Sequence, residues 1–101
     1  MITSSSNAQV KRVIQLNKKA KERKKQQVFV AEGFKMFQEA PKEWVERVFV
    51  TEVFLNEHKE LLLGIDYEVV EERIFNQMSD TQSPQGILCL IQMPSYSLEE
   101  V

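Results

Sequence analysis

Four short apolar runs set the limits on what this chain can fold into. They are VFVA at Val28–Ala31, VERVFVT at Val45–Thr51, YEVV at Tyr67–Val70 and GILCLIQ at Gly86–Gln92. Their length and their β-branched and aromatic content suit strands packed in a sheet. The first and last runs are apolar almost without interruption, which predicts burial on both faces rather than on one.

Between these runs the apolar spacing changes to a helical period. Ser4, Ser5, Ser6 and Asn7 offer N-cap side chains, and Val10, Val13, Ile14 and Asn17 then recur at i, i+3, i+4 and i+7. Leu16 and Ala20 flank that stripe, and Lys11, Arg12, Gln15, Lys18 and Lys19 fall on the other face. Phe34, Met36 and Phe37 mark a short helix that ends by Pro41, because the residue before a proline is driven out of helical geometry. Thr51 is placed to cap a helix running through Leu61, Leu62 and Leu63 to Gly64. Glu71–Met78 makes one more short helix. The predicted order is a helix, three strand–helix pairs and a last strand. That is an α/β fold with a sheet covered on both faces and at least partly parallel.

At 101 residues, 43% of them apolar, the chain holds one domain with a real core. After Gln92 the run MPSYSLEEV has a proline, two serines and no core period. It reads equally well as the start of a linker or as a terminal tail.

The net charge of −2 conceals a segregation. Residues 1–25 carry eight bases (Lys11, Arg12, Lys18, Lys19, Lys21, Arg23, Lys24 and Lys25) against Glu22 alone. Residues 26–101 carry five bases against fourteen acids. A helix C-terminus favours nearby cations, which accounts for about two or three lysines. Six cations between positions 18 and 25, on a helix end and the loop after it, exceed that need. They point to a polyanion, nucleic acid above all.

Catalytic chemistry has little to work with. His58 is the only histidine and is expected on an exposed helical stretch beside Glu57, Lys59 and Glu60. Cys89, the only cysteine, sits in ILCLI and reads as a buried thiol without a disulfide partner in the chain. A zinc site lacks ligands. Neither a GxGxxG stretch nor a phosphate loop is present. Phe29, Phe34, Phe37 and Trp44 read as core or core edge rather than as base-stacking platforms. No catalytic, cofactor-binding or metal-ligating residue is therefore assigned. With neither a membrane-spanning stretch nor an export leader, a cytoplasmic location is expected.

Three further features have two readings each. Asn7 can cap the first helix or offer its amide to a partner. Glu32, beside Gly33 at a strand end, can orient a nearby Arg23 or serve as an ordinary acid at a helix start. Asp80–Gly86 is a turn-rich connector by its plain reading.

Read together, three stretches resemble a known family. Ile2 to Lys11, with Ser4, Asn7 and Val10 between them, is similar to the I-x-S-x-x-N-x-x-V-K opening of SpoU-type (TrmH-type) RNA ribose 2′-O-methyltransferases. Arg23 followed by Phe29 and Glu32-Gly33 resembles their R-x(5)-F-x-x-E-G element. Thr81 with Pro84-Gln85-Gly86 resembles their T-x-x-P-Q-G element. The resemblance covers residues 2 to about 93.

It implies a three-layer α/β/α sandwich similar to the ribosomal proteins that bind kink-turn RNA, with a mixed central sheet of about four strands. It also implies that residues 1–93 form an RNA substrate-binding domain and that residues 94–101 begin a linker. Beyond the linker, a knotted methyltransferase domain would bind S-adenosylmethionine, carry the catalytic residues and form the homodimer. Asn7, Lys11, Arg23, Glu32 and Gly33 fall on the family's RNA-contacting positions, and Lys18, Lys19, Lys24 and Lys25 extend that surface by charge. Pro84-Gln85-Gly86 is assigned to structure.

The expected role is recognition of structured RNA, ribosomal ranked above transfer RNA, with no methyl transfer by this chain alone. The rivals are a free-standing kink-turn-type RNA-binding module and a protein-interaction domain that uses the acidic remainder of the chain.

Overall fold

The computed structural model describes residues 1–82 and 84–93, so the predicted linker at 94–101 lies outside the described residues. Asn7 starts helix α1 (Ala8–Lys18), its Oδ1 accepting the Gln9 amide at 2.8 Å. Val10, Val13 and Leu16 form the buried stripe of α1. The predicted single helix with a basic loop after it is corrected here. Lys19 adopts an extended conformation (φ −122°, ψ 108°), and the basic run continues as a second helix, α2 (Ala20–Gln26). No residue of α2 is buried, so no apolar period announced it.

The four expected strands are present as β1 (Val28–Glu32), β2 (Val45–Val50), β3 (Glu68–Val69) and β4 (Ile87–Gln92). They form one sheet in the order β1-β4-β2-β3. β2 and β3 are parallel, whereas β4 lies antiparallel between β1 and β2. The reason is the path of α5 (Glu72–Met78). It starts where β3 ends, and it delivers Ser79 to Glu32 at the end of β1, where Ser79 donates to the carboxylate at 2.5 Å. The helix thus crosses the sheet instead of returning along it. β4 begins where the other strands stop and can only run against them. At the β3 edge the amino-terminal segment adds a bridge, with the Ile2 amide donating to Val69 and Ile2 accepting from Glu71, each at 2.8 Å.

Strand alternation divides the core between the two sheet faces. Leu88, Leu90, Phe49 and Val28 pack beneath α1 and α5 with Val10, Val13, Leu16, Ile74, Phe75 and Met78. Ile87, Cys89, Ile91, Val48, Val50 and Ala31 face the opposite layer. There they meet Phe37 of α3 (Phe34–Glu39), Phe54 of α4 (Glu52–Glu57) and Leu62. This is the expected helix–sheet–helix layering. Burial pushes the Cys89 thiol up to about 11, which keeps it neutral and inert in the folded protein.

Thr51 caps a helix as expected, its Oγ1 accepting the Phe54 amide at 3.2 Å. That helix stops at Glu57, and a separate short turn spans Lys59–Leu62. His58 occupies the break. It is half-buried against Phe54 (ring centroids 4.5 Å apart) and Phe34 (5.7 Å), not on an exposed helical face. Phe29, Phe34 and Trp44 border the second core cluster, in keeping with their reading as core edge. Among the described residues no helix is long and apolar enough to cross a membrane.

Candidate nucleic-acid interface

The carboxyl ends of β1, β2 and β3 and the start of β4 share one end of the sheet, and the motif residues gather there. In open α/β sheets this is the end at which ligands are usually held. Glu32 is turned to the loop after α5. Its Oε1 accepts from Ser79 Oγ at 2.5 Å and its Oε2 from the Asp80 amide at 2.8 Å. The Gly33 amide donates to Ile87 at 3.0 Å. The next amide, that of Phe34, donates to Gln85 Oε1 at 2.8 Å, so Gln85 occupies the start of α3. Two stretches more than 45 positions apart are thereby tied into one rigid rim, which fits the structural role assigned to Pro84-Gln85-Gly86. Glu32→Ala removes two bonds to a charged acceptor, each stronger than a neutral one. The expected cost is about 1–3 kcal/mol by urea denaturation, with faster hydrogen exchange at the Asp80 amide.

Arg23 does not meet Glu32. Its Nη1 donates to the carbonyls of Leu16 (2.5 Å) and Asn17 (3.2 Å). Placing a cation on the last carbonyls of α1 satisfies orphan acceptors and complements the helix dipole. The reading in which Glu32 orients Arg23 is therefore replaced by two separate clamps. Asn17 adds a third: its Nδ2 donates to Met78 at 2.7 Å, joining the ends of α1 and α5. No local signal in the sequence pointed to Ser79 or Asn17 in these roles. Their partners are distant in the chain.

Glu22 and Glu46 also have partners of their own. Arg12 donates through Nε to Gln26 Oε1 (2.9 Å) and through Nη1 to Glu46 Oε1 (2.5 Å). Gln26 in turn donates to Glu22 at 3.2 Å. Glu46 is the extra residue of a bulge in β2, which aims it at α1. The hydrogen bond from Arg12 holds its carboxyl below the usual range, against the opposing effect of its own desolvation.

Lys11, Lys18, Lys19, Lys21, Lys24 and Lys25 are exposed. Among the described residues none of them has a carboxylate within salt-bridge distance. Lys21, Lys24 and Lys25 are three and four positions apart on α2 and share a face. Lys18 and Lys19 follow Asn17, whose side chain is bound to Met78, the residue before Ser79. The result is a cationic ridge along the β1 side of the molecule, leading to the end where the motif loops meet. A ridge of this kind can take a run of phosphates. Asn7 and Lys11, at the start of α1, are not brought to that end: Asn7 is spent on its helix cap, and Lys11 stands alone and exposed.

A mixed four-stranded sheet in the order β1-β4-β2-β3 between helical layers defines an α/β domain, and comparison with known proteins narrows it. The sequence model of the MRM3-like substrate binding domain matches residues 7–89, and the chain belongs to that family. One solved structure, an RNA 2′-O ribose methyltransferase, is 29% identical with a TM-score of 0.78, over 99% of this chain and 40% of the other. A putative RNA methyltransferase of the TrmH family from Porphyromonas gingivalis is 25% identical (TM-score 0.67), over 91% of this chain and 37% of the other. The SpoU methyltransferase AviRb from Streptomyces viridochromogenes, in complex with AdoMet, shares the fold at 17% identity and a TM-score of 0.72, over 92% of this chain and 38% of its own. The chain thus spans about two fifths of the length of these enzymes. No curated protein matches it by sequence.

Proposed function

We propose that residues 1–93 recognise structured RNA, ribosomal RNA before transfer RNA, for an S-adenosylmethionine-dependent ribose 2′-O-methyltransferase. Lys18, Lys19, Lys21, Lys24 and Lys25 hold backbone phosphates, and the rim built by Glu32, Gly33, Ser79 and Gln85 presents a fixed shape to the fold of the target. Phosphate contacts orient the RNA, and its shape and ribose hydroxyls supply specificity. Arg23 and Glu32 serve by fixing the ends of α1 and of the loop after α5.

The cofactor and the catalytic residues belong to a second domain reached through the linker that starts near residue 94. That domain also forms the homodimer. This chain alone is then without transferase activity in the cytoplasm, and its contribution is to hold one ribose where the reaction occurs. Positioning of that kind is a large share of catalysis.

The observation that carries the reading is the lysine ridge, without a carboxylate partner among the described residues, beside the converged motif loops, in a chain of this family. A salt titration tests it. For the 101-residue chain bound to a structured rRNA fragment, log affinity should fall linearly with log salt, losing about 0.7–0.9 per phosphate contact, a total slope of about −4. Affinity that does not respond to salt rejects the reading.

A further inference from the structure

The two edges of the sheet are treated differently. At the β3 edge the amino-terminal segment closes the ladder through Ile2. At the other edge β1 pairs with β4 alone. The Gly33 amide donates to Ile87 and the Met93 amide to Gln27, which fixes the alternation between them. Phe29 and Ala31 therefore exchange hydrogen bonds with Ile91 and Cys89, and Val28, Val30 and Glu32 turn their amides and carbonyls outward. Among the described residues none of these outward groups has a hydrogen-bond partner. Edges are commonly blunted by a lysine or proline in the strand, or by a bulge. β1 has none of these: its sequence is VFVAE, and its register with β4 is unbroken.

We propose that β1 accepts an extended acidic peptide of a partner protein as an added strand, beside the lysines of α2. The backbone groups select a peptide. Donors alternate with acceptors along this edge, which another extended chain matches, whereas phosphates offer acceptors only. The charges select the sign of its side chains. α2 lies in the layer of α1, tied to it by Arg12 on Gln26 and by Arg23 on Leu16 and Asn17. It starts near the Glu32 end of β1, because Asn17 is bound to Met78 and Ser79 to Glu32. It ends at Gln26, where the chain turns through Gln27 into β1. The helix thus runs alongside β1, and none of its residues is buried, as expected of a helix with unfilled space next to it.

Every second side chain of an added strand lies on that side, at intervals of about 6.7 Å. Lys21 and Lys25 are spaced about 6 Å along α2, with Lys24 on the same face. Carboxylates at alternate positions of the peptide therefore meet a row of ammonium groups. A second copy of this chain is disfavoured by the same charge, since pairing β1 with β1 sets two lysine ridges against each other. The pairing uses the ridge only as fixed positive charge, and it is tested without RNA, so its failure leaves the RNA reading standing.

The probe is a blocked heptapeptide of alternating glutamate and threonine, titrated into the 101-residue chain at low salt and followed by amide hydrogen exchange. In the free chain the Val30 amide should exchange at least about tenfold faster than those of Phe29 and Ala31, and the peptide should slow it by a similar factor. Only alternate amides of an added strand face β1. N-methylation of the glutamates alone or of the threonines alone should therefore weaken binding at least about tenfold in one case and leave it unchanged in the other. Loss in both cases, or in neither, overturns the proposal. Replacing the glutamates by lysine should weaken binding at least about tenfold, and undiminished binding overturns the acidic partner. Val30 protection already present in the free chain overturns it too: if it rises with protein concentration, the occupant is a second copy, and if it does not, the edge is closed within the chain.

Discussion

Replacing Lys18, Lys19, Lys21, Lys24 and Lys25 together by glutamine lowers affinity for a structured rRNA fragment on the order of 10²–10³-fold at about 0.1 M salt. Each lysine that meets a phosphate releases condensed counterions, so removing five also flattens the salt dependence, by about four in the log–log slope. Fold stability should barely move, because the five side chains are exposed and no carboxylate among the described residues partners them. That separation of affinity from stability makes these the residues to change. Arg23→Ala would mix the two, since its guanidinium holds the last carbonyls of α1. Calorimetry and binding on the same variant decide the matter: an intact melting transition with undiminished affinity excludes the ridge as the RNA surface.

The strands were legible in the sequence because each one is a dense apolar run, and Val28, Ile87 and Leu88 would have been hard to place anywhere but in a sheet. The first helix was legible because Val10, Val13 and Leu16 keep a helical period. The break at Lys19 was not. Lysine, alanine and glutamate all favour helix, and nothing local distinguishes Lys19 from Lys18. The interruption is tertiary: Arg23 turns back onto the carbonyls of Leu16 and Asn17, and α2 runs down to β1 with no buried residue to mark it. His58 was misplaced for a related reason. Its neighbours Glu57, Lys59 and Glu60 suggest water, but it fills a helix break next to Phe54 and Phe34.

The candidate site was legible in its charges and opaque in its wiring. The lysines could be counted. That Glu32 holds Ser79 and the Asp80 amide, and that Gln85 sits on the start of α3, depends on pairs about 50 residues apart. Helical and strand periods report burial along one element. They do not say which loop another element will meet.

The same wiring gives the largest stability effect expected from a single methyl group. Gly86 precedes β4 with φ +93°, and a Cβ there would stand 2.8 Å from Thr51 Oγ1 and 3.0 Å from Phe54 Cβ. Gly86→Ala therefore combines backbone strain with a collision against the cap of α4, a total of about 3 kcal/mol or more. For a domain of this size each kcal/mol moves the melting temperature about 4–8 °C, so a fall of about 12 °C or more is expected. Gly64→Ala is the comparison. Its φ of +76° carries similar strain, but a Cβ there meets nothing within 4 Å, so the cost is backbone strain alone, about 1–2 kcal/mol. Thr51→Ala removes the hydroxyl that the new methyl strikes, at the cost of the α4 cap. The double variant Thr51→Ala with Gly86→Ala should then lose less than the two single losses added, because the two share one contact. Strict additivity would mean that strain at Gly86, not the close approach of Thr51, is what reserves this position for glycine.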